Sequence, residues 1–188
     1  MKVLISKSGE VSKPFIERIH LIQGDITQQD TDAIAMLIPQ DMEFAGQINQ
    51  SIMQAAGYDI DAFILEHIYK PRVGEVYALP AGNLNAKHIL VGIMPYYRTE
   101  FDQNDSHLSG AVRSIMELAR CMLLTSISFP PLFSGKKGFA KPKAARLVCQ
   151  GINDRMQDAF EDVRIVCSDE ASIEIFDRKL RILGWDGG

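Results

Sequence analysis

The sequence predicts an α/β fold in which a largely parallel or mixed sheet is covered by helices on both faces. Two observations predict it. Short apolar runs alternate with stretches of ten or more residues whose apolar positions recur every three or four. In addition, two loops far apart in sequence, Gln23-Gly24-Asp25-Ile26-Thr27 and Ser134-Gly135-Lys136-Lys137-Gly138-Phe139, each follow an apolar run. Open α/β sheets bind ligands beyond their strand ends, so an acid on one such loop and glycines on another can grip two ends of one nucleotide-like molecule.

The elements follow in order. Residues 18–22 and 32–38 are apolar runs punctuated by Gly24 and Pro39 and read as buried strands. Phe44, Ile48, Ile52, Ala55 and Ala56 fall at helical spacing, and Gly57 supplies the stop. Residues 59–69 form a second helix ahead of Pro71. Strands over 75–79 and 87–93 flank Pro80-Ala81-Gly82-Asn83, a hairpin-like or crossover connection. Ala111, Val112, Ile115, Met116, Ala119, Met122 and Leu123 mark an amphipathic helix that feeds the strand 126–129. Pro142 suits the first turn of the next helix, whose buried face is Ala145, Val148, Cys149, Ile152 and Met156. A strand over 163–167 and a helix marked by Ile173, Phe176, Leu180 and Leu183 complete the series.

Composition sets the boundaries. A chain of 188 residues with 46% hydrophobic and 23% charged residues has the size and balance of one domain with one substantial core, 1–188. A net charge of −4 argues against a general electrostatic grip on nucleic acid. The three cysteines, Cys121, Cys149 and Cys167, are widely spaced among apolar residues, which suits buried thiols in a reducing compartment. No paired Cys/His spacing suggests zinc, so no metal and no cofactor is expected. No run reaches the roughly 18 apolar residues of a membrane span, and the first ten residues lack the apolar core of a signal peptide. A cytoplasmic protein is expected.

From about residue 19 to 176 the order of motifs resembles the macrodomain family. Gln23-Gly24-Asp25-Ile26-Thr27 resembles that family's Gly-Asp-Ile-Thr, Asp32-Ala33-Ile34 its Asp-Ala-Ile-Val, and Ala55-Ala56-Gly57 its helix end. Gly74-Glu75-Val76 and the segment Pro80-Ala81-Gly82-Asn83-Leu84-Asn85-Ala86-Lys87 resemble its Gly-Glu-Ala and Gly-Tyr-Asn-Leu-Pro-Ala-Lys. Ser128-Phe129-Pro130-Pro131 and Phe133-Ser134-Gly135-Lys136-Lys137-Gly138-Phe139 resemble its Phe-Pro-Ala strand end and its Ser-Thr-Gly-x-x-Gly-Tyr/Phe loop. The resemblance implies a three-layer α/β/α fold with a central mixed, largely parallel sheet. It also implies binding of ADP-ribose or a related adenine nucleotide, free or carried on an ADP-ribosylated protein.

Departures from the family pattern fall in the pocket. Aligned without gaps over 32–57, the family's Asn-Ala-Ala-Asn becomes Met36-Leu37-Ile38-Pro39, its glycine run becomes Phe44-Ala45-Gly46-Gln47, and its Val-Asp becomes Ile48-Asn49. Met36 and Pro39 offer no side-chain hydrogen bond, so recognition of a distal ribose is weakened. Asn49 can orient a water but is not a base. Glu43 and Asp41 in the same loop are the acids that could replace the missing one.

The expected ligand-binding positions are Asp25 and Ile26, Gly46, and Ser134, Gly135, Lys136, Lys137, Gly138 and Phe139, with Asn49 and Glu43 the weaker catalytic candidates. The resemblance gives Asp25 the adenine exocyclic amine, while the residues alone also allow it to cap a turn through Thr27 and Gln28. Ser134-Gly135-x-x-Gly138 leaves backbone N–H groups open to a diphosphate. Lys136 and Lys137 could add charge or sit solvated, and Phe139 could line the ligand or plug the core. His20 and His88 fall in strands, His67 in a helix and His107 in a polar loop, and each reads as structural or solvated. Three functions follow: a divergent macrodomain acting as a reader or pseudoenzyme, an ADP-ribosyl hydrolase or O-acetyl-ADP-ribose deacetylase with an altered site, or a structural or protein-interaction module whose cleft is filled by Phe44 and its neighbours.

Overall fold

A computed structural model describes residues 14–42, 46–95, 104–132, 134 and 138–187. The strands are β1 (Ile19–Gln23), β2 (Ala33–Pro39), β3 (Val76–Pro80), β4 (His88–Met94), β5 (Ser126–Phe129) and β6 (Asp162–Cys167). The helices are α1 (Gln47–Ala56), α2 (Ile60–His67), α3 (Asp105–Cys121), α4 (Lys141–Asp154) and α5 (Glu170–Ile182). The strands form one six-stranded sheet in the order β1-β6-β5-β2-β4-β3. Every pairing is parallel except the edge pair β3 with β4, which runs antiparallel with Pro80 opposite His88.

Alternation along the strands divides the apolar residues between two faces. Ala33, Ala35 and Leu37 of β2 join Ile127 and Phe129 of β5 and Val163 and Ile165 of β6 in a core shared with α3, α4 and α5. Ile34, Met36 and Ile38 turn to the opposite face and pack with Ile52 and Ala56 of α1 and Ile60 and Ile64 of α2. The result is the α/β/α layering that the sequence predicts, with β2 buried on both faces along its whole length. Continuous burial explains why β2 reads as an uninterrupted apolar run.

Two locks set the frame. At the base of β2, the Asp32 carboxylate accepts from the Thr125 backbone N–H at 3.0 Å and pairs with Lys87 at 3.4 Å. The Asp32 backbone N–H donates to the Ser126 hydroxyl at 2.8 Å, and Thr31 and Ser128 join their buried hydroxyls at 2.8 Å. The second lock is the connection between β3 and β4. Gly82 has φ +58, and a Cβ there would sit 2.2 Å from the Ala56 carbonyl oxygen, which accepts the Asn83 backbone N–H at 2.9 Å. The Gly-Asn pair thus closes the C-terminus of α1, a structural role for a segment that carried part of the family resemblance.

Several boundaries move. α3 begins at Asp105, so His107 lies in its first turns and not in a loop. Its amphipathic stripe starts later because the first turn is polar and capped by Asn104. Met156 lies past the end of α4, although it is buried as expected. Cys149 and Cys167 are buried, but Cys121 is exposed, because it ends α3 on the side away from the core. Desolvation drives the Cys149 thiol well above its ordinary value and pushes Cys167 up to about 12, so both stay protonated. No helix among the described residues is long and apolar enough to cross a membrane.

Burial pushes the Asp32 carboxyl up, but the Thr125 backbone N–H, the Lys87 ammonium and the Thr125 hydroxyl outweigh it and hold the carboxyl below its ordinary value. Such a group stabilises the fold fully above its unfolded pKa, and the contribution is lost as pH falls through the lower folded value. Asp32→Asn is therefore expected to cost about 1–2 kcal/mol at pH 7, with the gap to wild type narrowing at a pH below the ordinary aspartate range. Urea unfolding at the two pH values measures it. Gly82→Ala is expected to lower stability by about 1–3 kcal/mol, read from the shift in urea midpoint at constant slope.

Candidate functional site

The strand order reverses direction between β2 and β5. From β2 the chain winds outward to β4 and β3, and from β5 it winds the other way to β6. Such a switch point, at the carboxyl ends of the strands, is where α/β sheets bind ligands. Here the ladder itself stops short. β2 pairs with β4 from Ala33 to Pro39, but with β5 only at Ala33 and Ile34. The remainder of β2, about 16 Å of strand at the usual rise, has no strand partner on that side among the described residues.

Four helices begin at this edge, because α1, α3, α4 and α5 each follow the carboxyl end of a parallel strand. Their first turns are not equivalent. Asn104 caps α3 and Asp169 caps α5 through side-chain bonds to Ser106 and Ser172, and both helices carry an acid in the first turn. α1 and α4 start at Gly46 and Ala140, with no capping side chain and no acid in the first turn. These are the two helices that leave β2 and β5 and so flank the split. Among the described residues no side chain caps either start, and the positive dipole ends favour an anion at the switch point. The basic side chains early in α4 are already paired with an acid of α3. Lys143 and Arg146 hold Asp105 at 2.8 and 3.4 Å, and the Lys143 ammonium keeps that carboxyl below its ordinary value.

Asp25 lies one residue beyond Gly24, whose N–H bonds the Cys167 carbonyl at 2.9 Å across the β1–β6 pair. Its Oδ1 accepts from the Thr27 backbone N–H at 2.9 Å and the Thr27 hydroxyl at 2.7 Å, capping the 3₁₀ turn Ile26–Gln28. The capping role is therefore real. It does not exhaust the carboxylate, because both bonds fall on Oδ1 and the residue is exposed. Ile26 is buried in the core beneath α1 and α2, which seats the loop from below.

Asn49, in the first turn of α1, donates its amide to the Leu37 carbonyl at 2.8 Å, on the stretch of β2 that has no β5 partner. Met36 is wholly buried under α1 and α2 and Pro39 is buried at the end of β2, so neither residue that replaces the family's amides is open to a ligand. Gly46 is the N-cap of α1. Ser134 and Phe139 pair in an isolated parallel bridge, which brings the two ends of the glycine loop together, and Gly138 lies beside Phe139. Phe139 is completely buried in the core shared by α3 and α4, the core-plug arrangement, with Lys143 over its ring at 5.6 Å. Ser134 also borders a small solvent-open depression with Leu132, Lys141, Ala144, Ile175 and Phe176. The expectations for Glu43, Phe44, Gly135, Lys136 and Lys137 lie outside the described residues. The sequence already marks Gly46 as a ligand-binding position and gives the helix beginning near Pro142 a positive end; the structure adds that neither start has a side-chain cap.

An α/β/α domain with an anion-favouring split between β2 and β5 is the class that these features define. The sequence profile described as Macro domain matches residues 39–148. An O-acetyl-ADP-ribose deacetylase of Salmonella gallinarum is 30% identical over 174 residues, spanning 90% of this chain and 97% of that protein. A macro domain-containing protein of Listeria monocytogenes is 28% identical over 167 residues, spanning 85% of this chain and 95% of that one. The solved macrodomain of Oceanobacillus iheyensis with ADP superposes at a TM-score of 0.76 with 25% identity, over 87% of this chain and 90% of that chain. The chain belongs to the Macro domain family.

Removing the amide that satisfies the Leu37 carbonyl should loosen the start of α1. Asn49→Ala is expected to cost about 1 kcal/mol in urea unfolding, and Asn49→Asp more, because a carboxylate would then face the carbonyl. Equal stability of all three proteins would contradict this role.

Proposed function

We propose that this chain binds ADP-ribose, or a closely related adenine nucleotide with a diphosphate, and holds it without hydrolysing it. The observation that carries the reading is the pair of uncapped, acid-free helix starts at α1 and α4 on either side of the split, set against the capped starts elsewhere. A diphosphate supplies the negative charge that those first turns lack. The Asp25 carboxylate, committed through Oδ1 alone, offers Oδ2 as an acceptor for an exocyclic amine, and a charged acceptor strengthens such a bond. The relative from Oceanobacillus iheyensis, solved with ADP, supports a nucleotide of this class.

The reader reading rests on Asn49. It stands where the resemblance expects an acid, and its amide nitrogen is occupied by the Leu37 carbonyl. An amide can orient water but cannot take a proton from it at neutral pH. A second reading, deacetylation of O-acetyl-ADP-ribose, is favoured by the identity to the Salmonella protein of that name. In that case water activation would fall to another group, and Asn49 would orient the water through its oxygen.

Isothermal titration separates binding from its absence. ADP-ribose and ADP are expected to bind at micromolar affinity and AMP more weakly, because it lacks the second phosphate. Asp25→Ala should weaken ADP-ribose about tenfold or more, a loss of ~1.4 kcal/mol. No heat with any of these nucleotides would overturn the reading. Incubation with O-acetyl-ADP-ribose decides between reader and enzyme: the wild type is expected to release acetate no faster than buffer, whereas release abolished by Asn49→Ala would establish the deacetylase.

A further inference from the structure

We propose that Arg164, acting through Gln29, is a positioning residue for the loop that presents Asp25. The inference rests on the nucleotide-binding reading above and adds a residue from the interior of the sheet to that site. Arg164 is a charged residue in the middle of β6, a strand whose other central positions are apolar and buried. It lies opposite His20 of β1, on the face crossed by the connection from β1 to β2.

The guanidinium divides its donors. Nε and Nη2 both bond Asp162 Oδ2, at 3.0 and 2.8 Å, which anchors the side chain to its own strand. Nη1 reaches out to Gln29 Oε1 at 3.0 Å and Asp30 Oδ1 at 2.8 Å. Gln29 is buried, and its amide nitrogen donates to the Asp25 backbone carbonyl at 3.0 Å. A continuous line of hydrogen bonds therefore runs from Asp162 through Arg164 and Gln29 to the backbone of Asp25.

The loop needs such a tether, because its own backbone supplies little. The Asp25 carbonyl also accepts the Gln28 N–H at 3.1 Å, and the Gln29 N–H reaches Ile26 at 3.4 Å. A 3₁₀ turn of three residues is weak by itself. Gln29 is suited to the link because its amide both accepts from Arg164 and donates to Asp25, and a fixed amide fixes both. Arginine is suited because a planar fork can serve Asp162 and Gln29 at once, which a lysine ammonium cannot do at these separations.

The test uses the full chain and the variants Gln29→Glu, Arg164→Lys and the double variant. Gln29→Glu keeps an acceptor for Arg164 but loses the donor to Asp25. Two readouts are taken: hydrogen exchange of the Thr27 and Gln28 amides, compared with α3 in the same protein, and ADP-ribose affinity by titration. Each single variant is expected to speed exchange at Thr27 and Gln28 about tenfold while leaving α3 unchanged, and to weaken ADP-ribose about tenfold. The double variant should be no worse than the more severe single one, because the two residues act in one line. Unchanged exchange overturns the tether itself, and faster exchange with unchanged affinity overturns its role in binding. A wild type that binds no ADP-ribose overturns the nucleotide reading, and with it the ligand role of the tether, whatever the exchange rates show.

Discussion

β2 and β5 are held together at one end only, and the rest of the site depends on that. Asp32, Thr31, Ser126 and Ser128 bind the bases of the two strands with short side-chain hydrogen bonds. Above Ile34 the ladder stops. The carboxyl half of β2 can part from β5 without unfolding because β4 pairs with it along its full length and both its faces are buried. A sheet normally satisfies its backbone groups through neighbouring strands. Where this one does not, Asn49 takes one carbonyl beside the reversal of strand order.

The electrostatics of the edge follow from how the chain leaves each strand. Helices that start away from the split carry their own compensation in Asp59, Asn104 and Asp169, each bonded to the first turn. Among the described residues, the two that start at the split have no such cap. Omitting a cap forgoes about 1 kcal/mol of helix stability at each start, a cost that a bound anion would offset. Asp25 lies beyond β1, with its carboxylate committed to the turn through Oδ1 alone. Its loop is held from beneath by Ile26 and from the sheet by the Gln29 and Arg164 line.

Much of the fold was legible because burial writes itself into the sequence. The apolar runs of β2 and β4 and the three-to-four spacing of α3 and α4 need only local pattern to be read. His107 reads as loop from the sequence, since the first turns of a helix that face solvent carry no apolar signal. Gly82 was legible as a turn, but its contact with the Ala56 carbonyl depends on two elements meeting in space. At the site, Asp25 could be read two ways because one carboxylate has two oxygens, and the capping bond occupies one of them. Phe139 was equally open until the core closed around it. Arg164 left a trace, a charge inside an apolar strand, but its partners Gln29 and Asp30 lie 134 or more residues away in sequence, and no spacing rule connects them.

The central claim is that the split between β2 and β5 is a nucleotide site with its adenine end at Asp25. A crystal structure of the chain soaked with ADP-ribose tests this most directly. The account predicts intact ADP-ribose, with its diphosphate between the first turns of α1 and α4 and its adenine amine on the Asp25 carboxylate. A ligand bound elsewhere, or a split occupied by protein side chains with ADP-ribose absent at saturating concentration, would contradict it.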